Sequence, residues 1–304
     1  MTPVVLCPAN FSEGRDPKVI ASIEAAIIDD PSVLILRTES DPDHNRSVIT
    51  FAGTPDGVLN AAFRACEVAV GQIDLRHHTG VHPRIGAADV IPFVPVSSVT
   101  LSDCILLARE LGRLISERLA VPVYLYAEAA RNPAYRELAF VRRGGFEVLS
   151  TATCIDRIPD FGPAGVHHSA GATAVGARSF LIAFNVLLNT SDMVVGRRIA
   201  RKIRERDGGL AGVKALALYL QSRQCVQISM NLTDYNLTGI AEVYTAIRGL
   251  AEEDGVAIGQ GELIGLAPLD AVLKALIHGV PFQEMSAARI LEYCLWKGYH
   301  PLGR

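Results

Sequence analysis

The feature of this sequence that most constrains its fold is the alternation of short apolar runs with longer segments whose apolar residues recur at helical spacing. Runs such as residues 4–9 and 33–39 are too short for an ordinary helix and predict buried strands. Residues 17–28 and 101–119 carry apolar residues on one helical face, which predicts helices packed on a sheet. The alternation indicates an α/β (α+β) chain.

The predicted elements of the second half follow a β-α-β-β-α-β order, which is the split arrangement of ferredoxin-like folds. Strands are predicted at 180–188, 213–219, 225–232 and 256–264, and helices at 191–206, 239–253 and 268–277. The first half has a similar order with one additional helix and strand: strands at 4–9, 33–39, 46–52, 90–96 and 121–126, and helices at 17–28, 55–73 and 101–119.

A chain of 304 residues can form two packed units or one large domain. We expect two related ferredoxin-like α/β subdomains, residues 1–179 and residues 180–304. Both halves place a polar loop with an asparagine between a strand and a helix, at 10–13 and 231–234, but the identity between the halves is too low to demonstrate a repeat. Residues 131–166 have weak periodicity and many turn residues, which predicts a long functional excursion.

Composition argues against several classes of partner. The formal net charge is -3, and basic residues are dispersed except in 197–206, where their spacing is typical of a solvated helix face, so we expect no nucleic-acid partner. The six cysteines are far apart and predict reduced core residues. Without a signal peptide or a long apolar run, we expect a cytoplasmic protein that does not enter the membrane.

Residues 76–86, RHHTGVHPRIG, form the strongest local concentration of chemistry, and we call them the histidine loop. A histidine can take and return a proton near neutral pH, so the loop is a candidate for general acid-base catalysis. His78 and His82 have the spacing of helical metal ligands, but Gly80 and Pro83 argue against a helix, and we expect no metal. The alternative is that these histidines only satisfy hydrogen bonds within the loop.

The segment from Glu39 to Arg46 places acidic groups at the end of one strand and an Asn-Arg pair at the start of the next. A carboxylate there could orient an imidazole, and an arginine could bind a substrate carboxylate through two parallel hydrogen bonds. The alternative is an ordinary polar hairpin loop.

Residues 161–173, which we call the glycine-rich segment, are rich in small residues and allow the backbone to approach a flat ligand closely. They lack the spacing of a dinucleotide-binding fingerprint, and the chain has no phosphate-binding loop with its lysine. We therefore expect no nicotinamide cofactor or nucleoside triphosphate. A close approach to an organic ligand and a plain surface turn are both compatible with this segment.

Ordered motifs along most of residues 3–277 resemble one family, that of the glutamate formimidoyltransferases, whose vertebrate members are fused to a cyclodeaminase domain. The motifs are PANFSEG at 8–14, HNRSVITFAG at 44–53, HPRIGAADVIPFVPV at 82–96, VPVYLYAEAARNP at 121–133, PDFGPA at 159–164, GATAVGARSFLIAFNV at 171–186 and VQISMNLTDY at 226–235. Residues from His278 onward lie beyond the resemblance and are expected to be a short C-terminal appendage.

The resemblance implies transfer of a formimidoyl group between N-formimidoyl-L-glutamate and N5 of tetrahydrofolate, in histidine breakdown. It implies tetrahydrofolate as a co-substrate, small-molecule partners, and a homodimer. It also implies two subdomains with facing mixed sheets and outer helices.

The family's catalytic histidine matches His82, and Glu39 occupies the position of an aspartate that assists it. The folate-contacting stretch matches Gly162, Pro163, Ala164, Gly165, Val166, His167, His168, Ser169, Ala170 and Gly171. Residues expected to bind substrate are Asn10, Asn45, Arg46, Arg84 and Tyr126.

The chain departs from the family pattern at Val81, where many members have glutamate, at Ala127, which replaces a glycine, and at His167-His168. These departures leave two alternatives open. One is a transferase that uses another formimidoyl amino acid, such as formimidoylglycine, and the other is a folate-binding paralogue without turnover. A purely structural role does not explain the polar loops at strand ends.

Overall fold

The protein is described by a computed structural model that covers residues 2–80, 83–151, 157–221 and 223–299. His82 and Val81, to which the sequence assigned a role and a departure, lie outside the described residues. The chain divides into two compact units, Met1–Arg178 and Ser179–Arg304. Each unit buries an apolar core of its own. The predicted α/β class with two subdomains is confirmed.

The first unit contains a six-stranded sheet in the order β2-β3-β1-β4-β6-β5. Its strands are β1 (Val4–Phe11), β2 (Val33–Asp41), β3 (Arg46–Gly53), β4 (Ala88–Ser97), β5 (Val123–Ala127) and β6 (Thr173–Ala177). Its helices are α1 (Pro17–Ile28), α2 (Pro55–Gln72), α3 (Leu101–Leu119) and the short α4 (Leu138–Val141) and α5 (Gly145–Leu149). The first four strands pair antiparallel, whereas β6 is parallel to both β4 and β5.

Local sequence signals place the long helices of this unit. Asp16 caps α1 by accepting a hydrogen bond from the Lys18 amide, and Pro17 follows at the first helical position. Thr100 and Asp103 form a capping box at the start of α3, and Ala120 ends that helix in the left-handed conformation. Each helix therefore begins where the sequence predicts.

Strand alternation distributes the two faces of the first sheet. Along β5, Val123 and Leu125 pack into the core beneath α1, α2 and α3, whereas Tyr124 and Tyr126 pack into a second cluster with residues of α4 and α5. We call the face of the sheet opposite α1, α2 and α3 the polar face, because β2 and β3, at one side of the sheet, carry half-buried polar side chains there.

The sequence reading missed β6, because its residues, TAVGA, are small and follow a glycine-rich stretch without strong alternation. All five residues are buried and lie between two parallel neighbours. A strand buried on both faces needs no alternation, so the period-two signal is absent. The predicted excursion, residues 131–166, contains α4, α5 and a 3-10 turn at Pro133–Arg136.

The second unit contains a four-stranded sheet in the order β10-β7-β9-β8. Its strands are β7 (Ile182–Leu188), β8 (Val213–Leu220), β9 (Cys225–Leu232) and β10 (Ile258–Ile264), and its helices are α6 (Met193–Ile203), α7 (Ile240–Glu253), α8 (Leu269–Ile277) and α9 (Leu291–Tyr299). Every pairing among these described strands is antiparallel, so the expected mixed pairing holds only in the first unit. In a split β-α-β unit, an antiparallel strand separates the two parallel ones.

The sequence predicted a short C-terminal appendage from His278 onward, but residues 280–291 are packed into the second unit. Val280 and Ile290 are buried in its core, and the Leu291 amide donates a hydrogen bond of 3.0 Å to the Ala267 carbonyl. None of the sequence motifs that carry the resemblance lies among these residues, so their place in the core could not be predicted from those motifs. In the described part of the chain, no helix is long and apolar enough to cross a membrane.

Candidate functional site

The polar loops of the first unit are held together by one buried asparagine. Asn45 adopts a positive φ of 47°, and its side chain accepts a hydrogen bond from the Gly14 amide at 3.0 Å. Its carboxamide nitrogen donates to the Thr79 carbonyl at 3.1 Å. Asparagine tolerates the left-handed conformation better than most residues. Asn45 therefore joins the loop after β1, the β2-β3 hairpin and the histidine loop.

Both ends of the histidine loop rest on the glycine-rich segment. The Leu75 amide donates to the Ser169 carbonyl at 2.8 Å, just before the loop begins. Where the loop ends, the Ala172 amide donates to the Ile85 carbonyl at 2.8 Å. The structure thus brings together the two segments for which the sequence predicted catalysis and ligand binding.

Gly171 permits this contact. Its φ is +73°, and a Cβ atom there would lie 2.1 Å from the Ile85 carbonyl oxygen. Only glycine combines that conformation with so close an approach of two backbones. By contrast, Gly165 is exposed at a φ of +105°, and a Cβ atom there would meet no other group within 4 Å. The segment is therefore anchored at its C-terminal end and open to solvent around residues 162–165.

Arg84 is largely committed to contacts within the protein. Its guanidinium binds the two carboxylate oxygens of Glu147 at 3.1 and 2.7 Å, and its Nε donates to His78 Nδ1 at 2.9 Å. The Arg84 side chain is 11% exposed, whereas that of Glu147 is 62% exposed. The pair thus fastens α5 to the histidine loop, and the predicted role of Arg84 in binding substrate stays a prediction.

His78 is held as a neutral imidazole between two partners. Because Nδ1 accepts from Arg84, Nε2 carries the proton that points to the Asn45 carbonyl oxygen, 2.9 Å away. Burial lowers the pKa of His78, and the Arg84 charge lowers it further, although the hydrogen bond to Asn45 opposes the shift. Both ring nitrogens are occupied, which leaves no lone pair for a metal ion. The described residues contain no cluster of three metal-ligating side chains.

A row of side chains crosses the polar face. Strand register places Glu39 beside Val48, Val48 beside Asn10, and Asn10 beside Val90. Since neighbouring strands lie about 4.8 Å apart, Glu39 and Asn10 are separated by about 10 Å along this row. Glu39 also forms an ion pair of 2.7 Å with Arg37 on the same strand.

Two further predicted residues share this face. Arg46 precedes Val48 by two positions on β3, so the two side chains point the same way. Tyr126, on β5, is 4% exposed, and burial raises the pKa of its hydroxyl, which accepts a hydrogen bond from Arg178. Of the predicted substrate-binding residues, Asn10, Arg46 and the buried Tyr126 therefore lie on one face of the sheet, and Asn45 and Arg84 lie among the loops.

Sequence reasoning missed a buried ion pair near this surface. Asp89, at the start of β4, accepts the Ile85 amide at 2.8 Å and pairs with Arg142, which follows α4. The side chains of Asp89 and Arg142 are 2% and 14% exposed. A signal was present, because an aspartate inside the apolar run AADVIPFVPV must have a buried partner. The partner could not be found, since it lies in the excursion, far along the chain.

The comparisons with known proteins agree over nearly the whole chain. Residues 4–178 match the family model described as "Formiminotransferase domain, N-terminal subdomain", and residues 183–290 match "Formiminotransferase domain". The glutamate formimidoyltransferase of Thermoplasma acidophilum is 45% identical over 292 residues, which cover 95% of this chain and 96% of that protein. The glutamate formimidoyltransferase of Streptococcus pyogenes serotype M1 is 38% identical and covers 90% and 92% of the two chains.

The formimidoyltransferase-cyclodeaminase of Rattus norvegicus is 41% identical over 283 residues. That match covers 90% of this chain but 52% of the rat protein. The chain therefore spans about half the length of this relative.

Proposed function

The chain belongs to the formiminotransferase family, and on that premise we propose that it is a glutamate formimidoyltransferase. It moves a formimidoyl group between N-formimidoyl-L-glutamate and tetrahydrofolate, which gives 5-formimidoyltetrahydrofolate and L-glutamate. The reaction belongs to the breakdown of histidine. Tetrahydrofolate is a co-substrate, and the reaction requires no metal.

The observation that carries this proposal is the hydrogen-bonded junction between the histidine loop and the glycine-rich segment. A transferase must hold two substrates with the reacting atoms in contact, because positioning removes much of the entropic cost of a two-substrate reaction. The hydrogen bonds of Leu75 with Ser169 and of Ala172 with Ile85 keep the two segments adjacent. An acid-base residue on one segment then acts beside a folate ring on the other.

His82 serves as the acid-base residue in this proposal. Attack by N5 of tetrahydrofolate on the amidine carbon forms a tetrahedral adduct, after which N5 loses a proton and the departing glutamate nitrogen gains one. One imidazole can carry out both transfers, and help of this kind contributes about 10²- to 10⁴-fold in rate. Glu39 supplies a carboxylate that orients the imidazole or balances its charge.

The remaining predicted residues divide by position. The glycine-rich segment binds the pterin ring, helped by the exposed, unobstructed backbone around Gly165. Asn10, Arg46 and Tyr126 contact substrate from the polar face. Asn45 and Arg84 position the loops around the substrate through their hydrogen bonds, in addition to any direct contact with the substrate. We further propose that the protein works as a homodimer in the cytoplasm.

A coupled assay tests this function. Purified protein is mixed with tetrahydrofolate and N-formimidoyl-L-glutamate, and 5-formimidoyltetrahydrofolate is followed by absorbance. Turnover supports the proposal. No turnover with this donor, but turnover with N-formimidoylglycine, would replace glutamate by another amino acid. Tetrahydrofolate binding without turnover on either donor would identify a paralogue that only binds folate.

A further inference from the structure

Glu147 is an exposed residue that contacts the histidine loop, and the proposed chemistry gives it no role. It lies on α5, in the excursion, 63 positions after Arg84 along the chain. Its two carboxylate oxygens accept hydrogen bonds from Arg84 Nη1 at 3.1 Å and from Nη2 at 2.7 Å. These hydrogen bonds lower the pKa of the Glu147 carboxyl below its ordinary value, so the group stays ionised at neutral pH. A backbone contact lies beside them, because the Phe146 amide donates to the Arg84 carbonyl at 2.8 Å.

Arg84 extends this contact to the other end of the histidine loop. Its Nε donates to His78 Nδ1 at 2.9 Å, and its Nη2 also donates to the His78 carbonyl at 3.2 Å. Together with the bonds to Glu147, these contacts use four of the five N–H groups of the guanidinium. The remaining ring nitrogen of His78, Nε2, lies 2.9 Å from the Asn45 carbonyl oxygen. A continuous chain of hydrogen bonds therefore runs from α5 through both ends of the loop to the β2-β3 hairpin.

This chain of hydrogen bonds suits a role in positioning better than a role in stability. The Glu147 side chain is 62% exposed, and exposed ion pairs contribute little to stability because water screens the charges. A proton-transfer residue, however, works only when it is held close to the productive geometry by neighbouring groups. In the sequence, His82 lies between His78 and Arg84, the two residues that this chain of hydrogen bonds joins.

We infer that Glu147 is a positioning residue for the acid-base step, because it fixes Arg84 and, through Arg84, His78 at the two ends of the histidine loop. The inference rests on the proposed function, which assigns the proton transfers to His82. It also gives the excursion a purpose, because α5 supplies a carboxylate that the loop itself lacks.

The test compares Glu147→Ala with Glu110→Ala. Glu110 is a matched control, because its two carboxylate oxygens bind Arg113 at 3.1 and 2.7 Å on the surface of α3, where its side chain is 44% exposed. We measure kcat, the KM for each substrate and the midpoint of urea unfolding. Glu147→Ala should lower kcat about 10- to 100-fold, since a misplacement of about 1 Å can cost about 100-fold. Its KM values should stay within about threefold, and Glu110→Ala should leave every value within about twofold.

The division between kcat and KM separates positioning from two simpler roles. If Glu147 contributes only to stability, its loss lowers the urea midpoint and leaves kcat unchanged. If Glu147 only holds Arg84 for direct contact with substrate, its loss raises a KM and leaves kcat unchanged. Either result overturns the inference. Glu147→Gln keeps one acceptor oxygen for Arg84 without the charge, so its kcat should lie between those of wild type and Glu147→Ala.

Hydrogen exchange in the absence of substrates separates this inference from the proposed function. We expect backbone amides of the histidine loop to exchange about tenfold faster in Glu147→Ala and at the wild-type rate in Glu110→Ala. Faster exchange in a protein whose wild type has no turnover would contradict the proposed function and keep the hold of Glu147 on the loop. In an active enzyme, unchanged kcat in Glu147→Ala, with or without faster exchange, would contradict the inference alone.

Discussion

The two units of this protein share one topology but differ in what is attached to it. In the first unit, β1 lies between β3 and β4, with β2 outside β3; in the second, β7 lies between β9 and β10, with β8 outside β9. Both units thus contain the β-α-β-β-α-β core in the same strand order. The Asn-containing loops that the sequence compared are not equivalent, because Asn10 is on the first strand of its unit and Asn231 on the third.

The two units differ in what lies beyond the fourth strand of the shared core, which is β4 in the first unit and β10 in the second. In the first unit, the sheet continues beyond β4 with β6 and then β5. The glycine-rich segment leads into β6 and contacts the histidine loop. Among the described residues, β10 of the second unit is an edge strand of its sheet, and Gly261 forms an isolated bridge with Phe282. The two units therefore share a scaffold, and only the first carries a candidate site, because the added strands β5 and β6 bring the glycine-rich segment to the histidine loop.

The hairpins of the two units make the same point at one residue. Asn45 and Gln224 both precede the last strand of their hairpin with a φ near +50°, at 47° and 49°. Asn45 is buried and joins three loops, whereas Gln224 is exposed and its side chain forms hydrogen bonds with Tyr219 and Gln221. Equal backbone geometry thus supports a site in one unit and a local turn in the other.

The largest expected effect is a loss of turnover when a histidine of the first unit, but not one of the second, is removed. We expect His82→Ala to lower turnover by about 10²- to 10⁴-fold without loss of folding, because the proton carrier is removed. His278→Ala is the matched control in the second unit, where His278 is exposed and contacts the Lys274 carbonyl. Stopped assays of both variants at saturating substrates make the measurement. A His82→Ala enzyme of near wild-type activity would remove His82 from the mechanism.

A second pair of variants tests the junction between the histidine loop and the glycine-rich segment. Gly171→Ala should destabilise the first unit by about 3 kcal/mol or more, since strain at positive φ adds to a backbone clash with Ile85. Gly208→Ala, in the second unit, has a similar φ of +85° but open space around it, and should cost about 1 to 2 kcal/mol. Urea unfolding measures both. Equal losses would show that the close approach to Ile85 is unimportant.

The two hairpin residues, Asn45 and Gln224, allow the energy of side-chain contacts to be separated from that of backbone strain. Asn45→Ala and Gln224→Ala both leave alanine at positive φ, so the difference reports mainly on the side-chain contacts. We expect a loss of about 2 kcal/mol at Asn45, where the buried Gly14 amide loses its acceptor, and about 0.5 kcal/mol at Gln224. The free energy of unfolding in urea again gives the comparison, and a loss at Gln224 as large as that at Asn45 would refute it.

The smallest expected effect is a dependence of stability on pH. Burial lowers the pKa of His78 in the folded state, so below its unfolded value of about 6.5 the unfolded chain binds more protons. The stability that His78 contributes should be fully present above that pH and should be lost as the pH falls toward the pKa of His78 in the folded state. The slope between about pH 7 and 5 should flatten in His78→Gln but not in His77→Gln, whose side chain is 83% exposed. An unchanged slope in His78→Gln would contradict the assignment.

Much of the fold was predictable because its helices and outer strands carry their own signals. The caps at Asp16 and Thr100 and the alternation of buried residues in β3 depend only on neighbours in sequence. β6 carried no such signal, since its small residues are specified by the strands on either side. The prediction for the end of the second unit failed for a related reason. Val280 and Ile290 become core residues only through contacts with distant parts of that unit.

The candidate site was predictable in part. Motifs indicated His82, the glycine-rich segment and the residues of the polar face, but no local pattern connected Asp89 with Arg142. Nor could the sequence indicate that Arg84 is occupied by Glu147, or that His78 is held between Arg84 and Asn45. Such pairings join positions far apart in the chain, where neighbouring residues carry no information about the partner.

The sequence by itself determined the α/β class, most of the helices and strands, and the family to which the chain belongs, because these rest on local periodicity and on ordered motifs. The tertiary structure alone decided which loops meet. It placed Leu75 against Ser169, Ile85 against Ala172, and Arg142 beside Asp89. These contacts follow from strand order and from buried polar groups that must find partners, and both are properties of the folded chain as a whole.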